Sequence, residues 1–199
     1  MRLALSARCL GLLLLSASPA FAASCPAGQT QVCLGGCICV PDPDGVIGPA
    51  QQRVGEVAAT SLEGWILRSR ASALSQGTAP IPPAIRQMLL PYYPTDVLDN
   101  VRYRVGDADD MAAARTMLQN PDIKAVTLVD VIVFRNEALA QDAALWAHEL
   151  FHVQQYRQWG SLEFARRYTR DYDAVESPAY RQQFDVAREL RRQAQRPAH

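Results

Sequence analysis

Lysine is almost missing from this chain. Lys124 is the single lysine, arginine supplies the rest of the 20 basic residues, and 20 acidic residues balance them to a net charge of zero. A balanced chain carries no broad positive field, so nucleic acid and anionic membrane surfaces are not its expected partners. Histidine is scarce as well, limited to His148, His152 and His199. Beyond the first twenty-odd residues no stretch reaches the roughly 18 uninterrupted apolar residues of a bilayer-spanning helix, and there is no internal repeat or low-complexity tract. What is present is a chain of 199 residues, 49% hydrophobic. That is enough for one sizeable core and too little for two.

The start of the chain reads as a separate object. Arg2 and Arg8 precede and flank the apolar run Cys9-Leu10-Gly11-Leu12-Leu13-Leu14-Leu15, and Ala20-Phe21-Ala22 supplies a small-x-small site. Residues 1–22 are therefore expected to be a secretory signal cleaved after Ala22, which makes the protein exported, periplasmic or extracellular. A lipoprotein acylated at Cys25 is the competing reading. It fits less well, because Ala22-Ala23-Ser24 is not a Leu-led lipobox and acylation would leave an odd number of thiols.

Removing Cys9 leaves Cys25, Cys33, Cys37 and Cys39, all inside residues 23–44. In an exported chain this even set predicts two disulfides stapling a segment too small for a core of its own. A four-thiolate zinc knot would call for C-x2-C pairs, which these are not. Cys37 and Cys39 are not expected to bond each other, since that ring would be strained. Pro41-Asp42-Pro43-Asp44-Gly45 closes the segment as a linker. A chain begun near Gly48 is accordingly expected to fold.

The main domain is placed at residues 50–199. Over 51–75 the apolar positions Val54, Val57, Ala58, Leu62, Trp65, Ile66 and Leu74 recur at helical spacing, predicting a long amphipathic helix with Trp65 in the core. Pro80, Pro82 and Pro83 break that pattern, and 84–90 reads as a short helix ended by Pro91. Val101-Arg102-Tyr103-Arg104-Val105 alternates as a strand, 111–118 reads as a helix, and 125–134 is rich in β-branched residues as a strand or hairpin. From Glu137 onward the pattern is helical, ending in a solvated, Arg-rich stretch at 188–196. The fold class expected is α+β: a small sheet or hairpin, then further helices.

Chemistry concentrates in Leu145-Trp146-Ala147-His148-Glu149-Leu150-Phe151-His152-Val153-Gln154-Gln155. This is H-E-x-x-H in a helical frame. Residues four apart lie one above the other on a helix, so the two imidazoles can approach one Zn2+ ion, while Glu149, one step round, can reach a water without ligating the metal. Zinc acidifies that water, and a carboxylate at Glu149 is placed to take its proton as general base when it attacks a polarised carbonyl. A hydrogen-bonded pair of core histidines is the bland alternative. Burying two unpaired imidazoles at ligand spacing in an apolar helix would be costly, which argues against it.

Such a site needs a third protein ligand, and the shortage of histidine makes it a carboxylate. Glu163, Asp171, Asp173 and Glu176 are the downstream candidates. Glu163 follows the Trp159-Gly160 break too closely to double back, whereas Glu176 lies 176 − 152 = 24 positions beyond His152, room for a helix, a turn and a return. Its rival role is a solvated helix-start acid beside Ser177-Pro178. Tyr172 and Tyr180 flank Glu176, where a phenol is either packing or a donor to a tetrahedral oxyanion.

The order Pro83-Ala84-Ile85-Arg86 with Leu89-Leu90, Val101-Arg102-Tyr103-Arg104-Val105-Gly106, Ala112-Ala113-Ala114-Arg115, Ala125-Val126-Thr127, Asp130-Val131-Ile132-Val133-Phe134 and Ala147-His148-Glu149-Leu150-Phe151-His152-Val153-Gln154-Gln155 resembles the zinc-metallopeptidase domain found in bacterial proteins associated with extracellular contractile injection systems. The resemblance covers residues 81–155. It implies a zincin-like fold of the gluzincin type, with a small sheet, an active-site helix and a later helix bearing a glutamate ligand. It carries over His148, Glu149 and His152, and matches Glu176 more loosely. Where members have Val-Gly-Asn-Asp ahead of the Ile-Val-Phe strand, this chain has Leu128-Val129-Asp130-Val131, an altered or shortened loop.

Two function classes follow. The first is an exported zinc peptidase acting on a peptide or protein substrate, with an edge strand from Ala125 to Phe134 taking up extended substrate. The second is a non-catalytic recognition module whose zinc only holds helices together. Three protein ligands and an open position predict chemistry, and a fourth ligand such as Asp173 predicts structure.

Overall fold

The alternating segment and the β-branched run pair with each other. In a computed structural model, which describes residues 25–33, 37–106 and 123–195, they build a four-stranded sheet from β3 (Ala79–Pro80), β4 (Arg102–Val105), β5 (Ala125–Leu128) and β6 (Val131–Phe134). The order is β3-β4-β6-β5, with β4 parallel to β6 and the other two pairings antiparallel. The expected edge strand is thus narrower than 125–134. Only β5 lies at the edge, while β6 is interior and fully buried, which its unbroken Val-Ile-Val-Phe run explains. The signal segment and the expected 111–118 helix lie outside the described residues.

β5 and β6 are joined by the two-residue turn Val129-Asp130, where Val129 adopts φ 65°. Left-handed backbone costs a non-glycine residue about 1–2 kcal/mol. Arg70 holds the turn, donating from Nε and Nη2 to the two Asp130 oxygens. The altered loop is therefore a tight hairpin with a side chain where glycine would be unstrained.

Alternation along the strands sorts the core into two layers. Leu128, Val131 and Val133 pack against Ile66 and Ala73 of the long helix α1 (Ile47–Ser75). Ile132 and Phe134 face the opposite way, against Trp146 and Leu150 of α5 (Ala143–Trp159) and against α2 (Pro83–Leu89) and α3 (Thr95–Asn100). The short α4 (Glu137–Ala140), capped by the Asn136 side chain, leads into α5, whose own cap is Asp142 accepting from the Ala144 and Leu145 N–H groups. α6 (Ser161–Arg170) packs on α1, and α7 (Tyr172–Ala194) packs along α5. The α+β class expected from the pattern is what the chain adopts. Among the described residues no helix is long and apolar enough to cross a membrane.

The α1 stripe needs correcting. Ala59, Ile66, Ser69 and Ala73 are its buried face, while Val54, Val57, Ala58 and Leu74 are exposed. At about 100° per residue Val57 lies on the side of α1 opposite Ile66 and Val54 about 120° round from it, so neither shares the face that Ala59, Ile66, Ser69 and Ala73 bury. Trp65 is half-buried and lines a cleft rather than sitting in the core.

Ahead of α1, β1 (Gln29–Cys33) and β2 (Cys37–Pro41) form a separate hairpin closed by a Cys25–Cys39 disulfide. Cys33 and Cys37 are opposed in its register, and their side chains lie outside the described residues. Asp42, in the expected linker, caps α1 by accepting from the Val46, Ile47 and Gly48 N–H groups. A shortened chain should therefore begin at Pro41 rather than Gly48, so that the cap is kept. Such a chain is expected to melt within about 3 °C of the parent and to bind metal equally well. Reduction of Cys25–Cys39 should abolish hydrogen-exchange protection in the hairpin alone. Loss of protection in α5 on reduction would show that the hairpin is part of the core.

Candidate metal centre

Helix α5 is buried over most of its surface, with Ala144, Phe151 and Gln154 partly exposed, so the polar residues on its buried faces need partners within the protein. His148, Glu149 and His152 are 6%, 4% and 5% exposed. The i, i+4 spacing puts the two rings on one face of the helix, edge to face, and the His148 and His152 Nε2 atoms lie 3.0 Å apart. α7 brings Glu176 to them: its Oε2 is 3.2 Å from His148 Nε2 and its Oε1 3.5 Å from His152 Nε2. Ligands held tetrahedrally at about 2.1 Å would stand about 3.4 Å from one another, so the three separations match one face of such a site. Among the described residues these three form the group of side chains able to hold a metal ion.

The other downstream acids are elsewhere. Glu163 pairs with Arg167 at 2.9 Å, Asp171 caps α7 through the Ala174 N–H, and Asp173 is exposed. Glu176 is not the helix-start acid that Ser177-Pro178 suggested, because α7 starts at Tyr172 and Pro178 falls inside it.

His152 is set for ligation by its neighbours. The Gln155 amide nitrogen donates to the Val175 carbonyl at 2.9 Å, so its oxygen faces the His152 Nδ1 at 2.8 Å. A carbonyl can only accept, which fixes the amide and makes Nδ1 the protonated nitrogen. In the neutral ring Nε2 then carries the lone pair a metal needs, whereas the protonated ring donates from Nε2 toward Glu176. Among the described residues His148 has no such partner for its buried Nδ1. Ring packing orients it instead, edge-on against Tyr180 at 4.5 Å and against His152 at 4.8 Å. Gln155→Leu is expected to lower metal affinity by about 10–100-fold while α5 stays helical, measured by competition with a chelating dye.

Glu149 is adjacent to the triangle and outside it. The Thr127 hydroxyl, on β5, donates to Glu149 Oε2 at 2.7 Å, and among the described residues Oε1 has no hydrogen-bond donor. Glu149 and Glu176 are two buried carboxylates, and among the described residues no Lys or Arg pairs with either. Burial pushes the Glu176 carboxyl up, but hydrogen bonds from His148 and His152 outweigh it and hold it at about 2. Burial lowers the His152 ring, and the nearby Glu176 and Glu149 carboxylates more than reverse that. Such a pocket of negative charge suits a divalent cation.

The centre opens into a cleft of about 680 Å³ between β5, α1, α5, α6 and α7. The Arg135 N–H donates to the Lys124 carbonyl, and the register alternates from there, so Ala125 and Thr127 turn their N–H and C=O groups away from β6 toward the open edge. Thr127, Gln155 and Tyr168, the last lining the cleft with Glu176, are functional neighbours that the sequence reading missed. Gln155 was within reach, three positions past His152 on the same helix face. Thr127 and Tyr168 depend on how separate elements pack, and no spacing announces them.

Residues 80–160 match the family model described as the eCIS core domain. The matched stretch holds α2 through α5, with both histidines and Glu149, and stops before Glu176. It links the chain to proteins of extracellular contractile injection systems. No curated protein and no solved structure matches the chain.

Proposed function

We propose, with the eCIS core match of residues 80–160 as premise, that the chain is an exported zinc-dependent peptidase of zincin-like architecture. The observation that carries this is the placement of four side chains. His148, His152 and Glu176 converge as one face of a tetrahedron, and Glu149 is held beside that face by Thr127, with no donor to its other oxygen among the described residues. A donor set of two imidazoles and one carboxylate suits zinc, and three protein ligands leave a position for substrate or water.

When bound there, zinc supplies Lewis acidity, lowering the pKa of a water and polarising a carbonyl oxygen. The rest belongs to the protein. Glu149 accepts the water's proton through that other oxygen and returns it to the amide nitrogen as the C–N bond breaks. Thr127 keeps that carboxylate aimed. Ala125 turns its backbone N–H and C=O, and Thr127 its N–H, to the open edge, where an extended peptide can lie as an added strand across the mouth of the centre, while the Thr127 carbonyl accepts from the Tyr156 hydroxyl. The disulfide of the N-terminal hairpin is compatible with an oxidising, exported location.

A non-catalytic recognition module would need the fourth position closed. Asp173, the residue that could have closed it, is exposed and outside the ligand group. The test is metal content of the purified protein together with digestion of an unfolded protein mixture. One equivalent of zinc and peptide products that disappear with a chelator are expected. Zinc without any cleavage would leave the recognition module standing and the peptidase rejected.

A further inference from the structure

A peptide added to the edge of β5 continues that strand's alternation, so its successive side chains point to opposite faces of the sheet. β5 itself shows what each face meets. Ala125 packs in the α5 layer and the Thr127 hydroxyl reaches Glu149, whereas Val126 packs in the α1 layer together with Leu62 and Trp65. A substrate residue beside Thr127 therefore turns its side chain toward the centre, and the residues before and after it turn toward α1. Of the two residues that flank a bond cleaved at the centre, one must face α1.

On that side the cleft is a chamber of apolar side chains. Leu62 and Trp65 come from α1, Phe164 and Tyr168 from α6, and Ile123 and Val126 from β5 and the approach to it. The chamber begins at the metal centre, because the Phe164 ring stands edge-on to His152 at 6.0 Å and stacks on Tyr168 at 5.6 Å. Leu62, Trp65, Ile123, Val126 and Tyr168 are each only half-buried, so apolar surface is left for a ligand to cover. The two acids that line the cleft, Glu149 and Glu176, belong to the centre, and Lys124, its one Lys or Arg, is exposed. Away from the centre, the described lining residues offer a charged substrate side chain no buried partner, and burying it there would be costly. Neither α1 nor α6 falls within residues 80–160, so four of the six side chains come from outside the eCIS core match.

We infer that this chamber is a specificity pocket for a large apolar residue, aromatic or branched aliphatic, at one of the two positions flanking the cleaved bond. This rests on the peptidase function proposed above and names the class of peptide it acts on. Leu62 and Trp65, one turn apart on α1, are its specificity-determining residues.

The test uses the zinc-loaded full-length mature chain and otherwise identical peptides carrying Phe, Leu, Ala, Asp or Lys at each flanking position in turn. At one of the two positions kcat/KM for Phe or Leu is expected to exceed that for Ala by about 10–100-fold, with Asp and Lys below Ala. Leu62→Trp fills the chamber and should bring the Phe-to-Ala ratio to within about threefold of one. Leu62→Arg should raise Asp above Phe at the same position. Val57→Trp, on the exposed opposite side of α1, should keep the wild-type ratio. A ratio between peptides cancels the fraction of folded enzyme, so a variant that folds poorly still reports, and the wild-type ratio decides by itself if none folds. Equal cleavage of the Phe, Leu and Ala peptides by wild type overturns the inference and leaves the peptidase standing. The same holds for a preference for Asp, which would assign the position to Lys124, and for a Phe preference that survives in Leu62→Trp. If zinc-loaded wild type cleaves none of the peptides, the peptidase reading falls and the pocket with it.

Discussion

Glu149→Gln is expected to abolish peptide hydrolysis while leaving zinc bound at one equivalent and the melting temperature near that of the parent. Glu149 lies outside the ligand triangle, so the metal loses no donor. The substitution preserves shape, and the Thr127 hydroxyl can still donate to the amide oxygen that replaces Oε2. What disappears is a group able to take a proton. General-base contributions are typically about 10²–10⁴-fold in kcat, large enough to be unmistakable in any working assay. Replacing a buried, uncompensated carboxylate with a neutral amide removes a desolvation cost, so the variant should be no less stable than the parent. The measurement is turnover on a peptide that wild type cleaves, with zinc content and thermal melting on the same sample. Cleavage at the wild-type rate by Glu149→Gln would remove it as the base and with it the proposed chemistry.

The readable parts of this chain were those governed by local periodicity. His148 and His152 come together because four residues make one helical turn, and that holds whatever surrounds the helix. β4 and the β5–β6 hairpin were visible because alternation and β-branching report burial on a pleated surface. Glu176 was reached by counting chain length to a returning helix. The tertiary facts were not readable. Val54 and Val57 are apolar like Ile66 but lie about 120° and about 180° round the helix from it, and which face of α1 meets the rest of the chain is set by its packing. Thr127 reaches Glu149 because β5 is the edge next to α5, a matter of strand order that no single segment encodes. The six-residue α3 was missed, since so short a helix has too few turns to show a period.

His148→Ala and Glu176→Gln are both expected to release the metal, and they should differ in what they do to the metal-free protein. At a metal concentration about 100-fold above Kd, a ligand that binds only the folded state adds about 2.7 kcal/mol. Wild type should therefore melt several degrees higher with zinc, and neither variant should respond. Without metal, the His–Glu contacts are themselves pH-dependent. Glu176 is depressed from 4.5 to about 2, so its contribution is present above about 4.5 and lost as pH falls toward 2. His152 is raised from 6.5, so its contribution is complete below 6.5 and lost as pH rises through the folded value. The metal-free protein should gain most from these contacts between about pH 4.5 and 6.5, whereas zinc needs neutral imidazoles and should bind more tightly as pH rises above that window. His148→Ala removes one of the two hydrogen bonds that hold Glu176 ionised, leaving a buried carboxylate half-paired and the metal-free fold weaker. Glu176→Gln leaves an amide that can still meet the histidines but cannot ionise, so its metal-free melting temperature should approach wild type only at the acid end, fall below it above about pH 4.5, and lose the acid-side dependence. Thermal melts of the three proteins from pH 3 to 9, with and without zinc, check this. A zinc-induced rise in melting temperature that survives in Glu176→Gln would show that Glu176 is not a ligand.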